Sequence, residues 1–466
     1  MKIQISNLGA LKEAEFELGE FTIICGGNNT GKTYATYALY GFLDLWRKAL
    51  PVNVAEEKID ALLSDGVVHI ELSEYVSQMT TTLAQGSKTY SKRLSSVFAT
   101  SPDKFSQADF SVLLDNNVSE ATQYQTRFER RLGSANNEQF LISKNEGSSD
   151  LVVSLLMDKS QVKIPRQIIT QFIEDALKDV LFSDHFPPPF IASAERTGAA
   201  IFRKELNFAR NRLLEEISKN GKEKDIDPFD LFFKTYDDYA LPVQKNVDFT
   251  RKLESLAKRE SFLKRQHPDV LNDFADIIGG EYTVIKDDEL YYTPKGKKVR
   301  LTMDESSSAV RSLLDIGFYL KHLAKSGDLL IVDEPELNLH PENQRRVARL
   351  FARLVNVGIK VFITTHSDYI VKELNTLIML NHDKPHLKHI AKSEGYKPEE
   401  LLSADKVKVY IAEEASIKIR GNKNKTKCRT LVPARIDSEM GIEARSFDVT
   451  IEEMNRIQSA IVWGEE

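Results

Sequence analysis

Short, unbroken apolar runs recur along the chain and end on glycine or charged residues: FTIIC from Phe21, FIASA from Phe190, LLIV from Leu329 and VFITT from Val361. Runs this short and this apolar predict strands buried on both faces, as in a parallel sheet. Lys2–Asn7 and Ala14–Leu18 instead alternate apolar and polar residues. They predict half-buried strands joined by an LGALKE turn, an antiparallel edge leading into the strand at Phe21. Thr33–Leu50 repeats apolar and tyrosine positions at three- and four-residue spacing and stops before Pro51. That is a helix, its tyrosines read as core packing rather than base stacking.

From Val52 to about Pro188, helical and strand-like segments alternate with polar loops such as SANNEQ and KNEGSSD. No motif there carries chemistry, so 51–184 is expected to be an insertion that caps the domain. Pro187, Pro188 and Pro189 punctuate the chain before FIASA. Residues 199–279 carry mixed charges at helical spacing, which predicts a solvated helical insertion too interrupted for coiled-coil arms. After Gly279 and Gly280, EYTVIKDDELYYTPKGKKVRLT alternates like a hairpin with PKG as its turn.

With 466 residues, 41% of them hydrophobic, the chain can bury a sizeable core as one large or a few ordinary domains. A net charge of −6 gives no overall field toward nucleic acid or anionic membrane, so any such contact needs a local patch. Cys25 and Cys428 sit in unlike settings and suggest no disulfide framework. The opening segment lacks an apolar signal core, and no run approaches the ~18 apolar residues of a membrane span. A cytoplasmic protein is expected.

Candidate chemistry begins at GGNNTGKT, residues 26–33. It fits the phosphate-binding pattern G-x-x-x-x-G-K-[ST], here between a predicted strand and a predicted helix. Gly26 and Gly31 let the backbone fold so that the N–H groups of Gly26, Gly27, Asn28, Asn29, Thr30 and Gly31 converge on an anion. Lys32 reaches outer phosphates and the Thr33 hydroxyl is a magnesium ligand. The LLIV run delivers Asp333 and Glu334 to a strand tip. Beside a phosphate loop, Asp333 is the natural magnesium partner and Glu334 the base that orients a water. VFITT likewise ends on His366, and the order of the three motifs favours a catalytic over a structural histidine. Ser306, Ser307 and Ser308 precede an amphipathic helix bearing Arg311, where they can cap the helix or grip a phosphate.

Two further stretches stand apart. His382, His386 and His389 lack carboxylates or cysteines at ligand spacing and read as a polar surface helix. KIRGNKNKTKCR, from Lys418 to Arg429, reads as a basic loop; DNA, RNA or an acidic partner is its sharper use. The closing RSFDVTIEEMNRIQSAIVWG predicts an amphipathic helix that docks on the domain or on a partner.

Together these motifs resemble the ABC-type ATPases of the structural-maintenance, Rad50 and RecF branch, in particular the compact ones of bacterial anti-phage operons. MKIQISNLGALKEAEFELGEFTIICGGNNTGKT looks like that branch's strand pair and Walker A, DLLIVDEPELNLHPENQ like its Walker B and D-loop, and VFITTHSDYIVKELN like its switch-histidine segment. Septu ATPases of the PtuA kind are most similar, then PARIS ATPases of the AriA kind. The resemblance implies an α/β P-loop ABC-type ATPase head with a mixed sheet and a helical insertion. Its ATPase domain would cover 1–50, 185–198 and 280–400, with 401–466 as a partner-docking segment.

It further implies ATP and Mg2+ as cofactors. Lys32 and Thr33 match the Walker A pair, Asp333 and Glu334 the Walker B pair, and His366 the γ-phosphate sensor. Ser306, Ser307 and Ser308 match a signature loop that engages nucleotide on a second copy, in a head-to-head dimer or higher oligomer. Ala309 stands where glycine is common, and FIASAER replaces the usual strand-ending glutamine, with Glu195 or Arg196 near the metal or the phosphates. The implied partner is a separately encoded nuclease, HNH type before toprim. After His366 no glutamate strand and D-x-D pair follow, so no nuclease activity of its own is expected. The alternatives are a Rad50- or RecF-like DNA-repair ATPase and a nucleotide sensor with little turnover.

Overall fold

The computed structural model describes residues 1–114, 124–134, 137–157, 164–202, 239–285, 289–419, 424–443 and 448–463. The chain divides into two compact units. The smaller comprises Met1–Gln4, Phe42–Arg93 and Asp109–Pro187, and the larger Ile5–Gly41, Leu94–Ala108 and Pro188–Glu466. The expected insertion over 51–184 therefore does not form one body, because Leu94–Ala108 belongs with the larger unit. The chain opens with β1 (Lys2–Leu8), β2 (Leu11–Glu17), β3 (Phe21–Cys25) and α1 (Lys32–Ala49).

In the smaller unit, β4 (Val67–Glu71), β5 (Phe128–Ser134), β6 (Asn137–Lys144) and β7 (Asp150–Leu155) form an antiparallel sheet in the order β4-β7-β6-β5. Ile70, Phe140, Ile142, Leu151 and Val153 are buried on it, as alternation along half-buried strands requires. Helix α2 (Arg166–Phe182) buries Ile169, Ile173 and Leu177 at helical spacing.

The larger unit is built on a six-stranded mixed sheet. Its strands are β3, β8 (Pro189–Ala192), β12 (Leu329–Asp333), β13 (Lys360–Thr365), β14 (Val407–Lys418) and β15 (Lys425–Pro433), in the order β15-β14-β3-β13-β12-β8. All neighbours are parallel except β14 and β15. Every residue of β3 and β12 is buried, because the parallel centre is covered on both faces. The four apolar runs of the sequence are four of these strands. Helices α8 (Pro341–Asn356) and α9 (Asp368–Leu380) contribute Phe351, Leu354, Ile370 and Leu374 to the same core cluster as Phe21, Val332 and Ile363.

Several expectations are corrected. β2 lies in a different sheet from β3, its Phe16 ring packing 6.0 Å from Phe362 and 6.1 Å from Tyr410. β14 pairs with β3 from Val407↔Phe21 to Ile411↔Cys25, so the segment 401–466 supplies two sheet strands and is not a docking segment throughout. Lys418 pairs with Lys425 across β14 and β15, so the basic run is a hairpin arm, with Lys423 outside the described residues. The stretch from Gly280 forms three strands, β9 (Gly280–Val284), β10 (Leu290–Pro294) and β11 (Leu301–Thr302), and PKG opens the second connection. Within 199–279, residues 203–238 lie outside the described residues, while α4 (Leu241–Arg251) and α5 (Pro268–Ile278) bury Phe249 and Phe274 in the core.

The single amphipathic helix expected after Ser308 breaks into α6 (Ser308–Ser312), α7 (Leu314–Phe318) and a π-helical turn at Tyr319–Leu323. His386 and His389 are exposed on α10 (Pro385–Ser393). The last element, α11 (Asp448–Trp463), exposes Met454, Ile457, Ile461 and Trp463. No helix of the described residues is long and apolar enough to cross a membrane.

Candidate functional site

Parallel pairing brings the chemistry to one edge. Asp333 aligns with Thr364, Thr365 with Cys25, and Ala192 with Val332. The phosphate loop, the acid pair, His366 and Ser193–Arg196 therefore all leave the sheet at the carboxyl ends of its strands, where open α/β sheets bind ligands.

The loop itself needs its glycines. Gly26 has φ +143°, and a Cβ there would sit 2.6 Å from the Ala412 carbonyl oxygen of β14. Gly31 has φ +104° and lies against Leu11. Asn29 takes the left-handed conformation at φ 60°, and its carbonyl oxygen accepts from Arg429 Nη1 at 2.8 Å. The Thr30 hydroxyl donates to the Gly27 oxygen at 2.9 Å, while Gly27 and Asn28 are exposed. Buried Lys32 donates from Nζ to the carbonyl oxygens of Gly26 and Gly27, at 2.8 and 2.7 Å. Burial pulls its pKa down, opposed by the carboxylates of Glu334, Asp333 and Glu336. Thr33 is exposed at the start of α1.

Asp333 is buried and its carboxyl is pushed up to about 6. Burial is the main cause, opposed by the Thr364 hydroxyl and reinforced by Glu334 and Glu195. Thr364 Oγ1 donates to Asp333 Oδ1, whereas Oδ2 is buried with no hydrogen-bond partner among the described residues. A buried carboxylate oxygen left over at a strand tip fits a magnesium ion, which takes one or two carboxylates and completes its shell with phosphate and water.

Glu334 carries φ 51°, a left-handed conformation uncommon outside glycine. Its N–H donates to the Thr364 oxygen at 3.1 Å, and its carbonyl accepts from Arg196 Nη2 at 2.9 Å. His366 Nδ1 lies 3.7 Å from Glu334 Oε1 and 3.1 Å from Glu336 Oε1.

The structure separates Glu195 from Arg196. Exposed Glu195 accepts from the Tyr37 hydroxyl at 2.8 Å and adds to the negative field at Asp333. Arg196, the first residue of α3 (Arg196–Ile201), is fully buried and donates to the carbonyls of Ser312, Ser193, Asp333 and Glu334 at 2.7, 2.9, 2.7 and 2.9 Å. It is therefore a tie between strand tips and the helix that follows the serines, not a phosphate contact. Tyr34 and Tyr37 pack against Phe98, in line with tyrosines as core.

The serines are locally engaged. Ser306 is buried and donates to the Thr302 oxygen at 2.7 Å, and Ser307 caps α6 by accepting from the Val310 N–H at 3.3 Å. Ser307 and Ser308 are exposed. Glu336, Thr364 and Asp315 escaped the sequence reading. A strand-tip threonine facing an acid on the neighbouring strand is the only one of these with a sequence signal, the TT before His366.

The sequence profile of the AAA ATPase domain family matches residues 1–371. No curated protein matches the chain. Similar solved structures include an SmcHead bound to the C-winged helix domain of ScpA, at 12% identity and TM-score 0.37 over 94% of this chain and 98% of that one. An SMC head domain from Thermotoga maritima is 10% identical with TM-score 0.31, covering 93% and 98%. An Smc head domain with an extended coiled coil, bound to the C-terminal domain of ScpA derived from Pyrococcus furiosus, is 13% identical with TM-score 0.28, covering 98% of each.

Proposed function

This chain belongs to the AAA ATPase domain family and has an α/β P-loop ATPase fold, and from that premise we propose that it is the ATP-binding and hydrolysing subunit of an anti-phage defence complex. A cytoplasmic protein, it scaffolds and restrains a separately encoded nuclease, HNH type favoured, as in Septu systems of the PtuA kind. The observation that supports the catalytic part is the convergence of Lys32, Asp333, Glu334 and His366 at one sheet edge, with Asp333 Oδ2 buried and unpartnered. The defence role and the nuclease rest on the family resemblance of the motifs.

In this reading, Gly26, Gly27, Asn28, Asn29, Thr30 and Gly31 cradle the phosphates, and Lys32 exchanges its carbonyl partners for outer phosphate oxygens. Thr33 Oγ1 and Asp333 Oδ2 hold magnesium, whose charge neutralises the phosphates when bound. Glu334 orients the attacking water, and His366 contacts the γ-phosphate. Ser307 and Ser308 reach the nucleotide of a second copy, while Ser306 holds the turn from inside. Two copies then close over two nucleotides, and hydrolysis changes the shape of the assembly.

The test is single-turnover ATP hydrolysis by the wild type against Glu334→Gln, with pull-down of the adjacent nuclease. Turnover lost by at least ~100-fold with ATP binding kept supports the role of Glu334; equal, negligible rates in both support the sensor reading instead.

A Rad50- or RecF-like DNA-binding ATPase is the second reading. The basic arm favours it, since Lys418, Lys425 and Arg429 stand exposed or half-exposed on β14 and β15, although Lys427 pairs with Glu414 at 3.3 Å. Reversing Lys425 and Lys427 should flatten the salt slope of DNA binding. An unchanged slope removes that reading.

A further inference from the structure

Glu336 lies two residues beyond the water-orienting acid, in the turn between β12 and α8. Its side chain is 5% exposed. One oxygen, Oε1, accepts from the Thr365 hydroxyl at 2.9 Å and from the His366 N–H at 2.7 Å, and it lies 3.1 Å from His366 Nδ1. The other oxygen, Oε2, is buried with no hydrogen-bond partner among the described residues. Glu334 is the farther of the two acids from that ring, at 3.7 Å, outside hydrogen-bond range.

We propose that Glu336 is the positioning residue of His366: its carboxylate stands at Nδ1, where it can accept a hydrogen bond from the ring and hold its plane, and it leaves Nε2 to meet the γ-phosphate, while Glu334 stays free to hold water. The chemistry follows from the imidazole. A neutral ring has one donor nitrogen and one acceptor, and the hydrogen bond made by one nitrogen determines the role of the other. When both ring nitrogens carry hydrogen, Nδ1 can donate to the carboxylate while Nε2 donates to a phosphate oxygen, the carboxylate standing behind the ring as a second residue does behind many catalytic histidines. The His366 side chain is 42% exposed, so solvent alone would leave the ring free to rotate. The Thr365 hydroxyl and the His366 backbone N–H hold the Glu336 oxygen in place, and its approach to Nδ1 then restrains the ring. The same oxygen ties the end of β13 to the turn after β12, so ring and strand tip move together.

The γ-phosphate contact rests on the ATPase reading; the ring contact does not. The test therefore has two arms on the full chain. In the first, histidine is labelled with 15N and the His366 ring signals are assigned by their loss in His366→Gln, without nucleotide. The wild type should carry hydrogen on Nδ1, Glu336→Gln should retain it through the amide oxygen, and Glu336→Ala should lose that preference. A wild-type ring carrying hydrogen on Nε2 alone, or one unaltered in Glu336→Ala, overturns the proposal.

In the second arm, Glu336→Ala should slow ATP hydrolysis by about 10- to 100-fold with His366 present, the usual range for such supporting partners. In a His366→Ala background the same change should cost less than about twofold, because coupled residues do not add. Equal losses in both backgrounds would assign Glu336 a merely structural role and sink the proposal. Should Glu336→Ala fail to fold, the wild-type ring signals alone decide the first arm and Glu336→Gln carries the second, with a smaller loss that again vanishes without His366. Absence of hydrolysis in the wild type would defeat the ATPase reading, and the ring signals would still decide the position of Glu336.

Discussion

Replacing Asp315 by asparagine should abolish a loss of stability that the wild type suffers as pH rises. Asp315 is fully buried on α7, and neither of its carboxylate oxygens has a hydrogen-bond partner among the described residues. Burial pushes it from 3.8 up to about 7, with the Arg196 guanidinium pulling the other way. A carboxyl raised in the folded state holds its proton more tightly there than when unfolded. Its contribution is fully present below the unfolded pKa and is lost as pH climbs through the folded one. The window therefore runs from about pH 4 to pH 7, and a shift of roughly three units amounts to about 4 kcal/mol. Between pH 5 and pH 9 the part lost is about 3 kcal/mol. Asparagine has almost the same shape and no proton to lose.

The assay is the urea-unfolding midpoint of both proteins at several pH values across that range. Asp333, raised to about 6, is present in both and cancels in the difference. The gap between variant and wild type should move in favour of asparagine by about 3 kcal/mol from pH 5 to pH 9. Parallel pH profiles would refute the reasoning and mean that Asp315 ionises without penalty, through water or through Arg196.

Arg196→Ala should destabilise the protein by about 3–5 kcal/mol, since it strands four carbonyls and the Asp315 carboxylate in the interior; denaturant unfolding measures it, and a change below about 1 kcal/mol would contradict the tie. Gly26→Ala should lower the thermal midpoint and weaken ATP binding together, because its Cβ would meet the Ala412 oxygen at 2.6 Å with φ at +143°. Normal binding in a folded Gly26→Ala protein would mean that β14 does not brace the loop.

The parts of the site legible in the sequence are those where chemistry dictates residue type and spacing at once. The loop of residues 26–33, the acids after LLIV and the histidine after VFITT each follow a short apolar run, and parallel pairing places them at one edge without further information. β14 was not legible in this way. It pairs with β3 from the far end of the chain, and Val407, Val409 and Ile411 alternate with Lys408 and Tyr410 without a motif to attract attention. The role of Arg196 as a tie, and Glu336 altogether, were unreadable for a different reason. Their partners are backbone carbonyls, a hydroxyl and a ring brought close only by the fold, and no spacing encodes them. The break at Leu313 also escaped, since apolar periodicity continues through it while the backbone does not.

The most direct test of the central claim, a nucleotide held between the phosphate loop of one copy and the serine turn of another, is complementation. Lys32→Ala and the double variant Ser307→Ala/Ser308→Ala should each be inactive alone. In an equimolar mixture, half of the dimers are mixed and each has one intact site, so ATP hydrolysis should recover to roughly one quarter of the wild-type rate. A mixture no more active than its separate components would contradict the shared site.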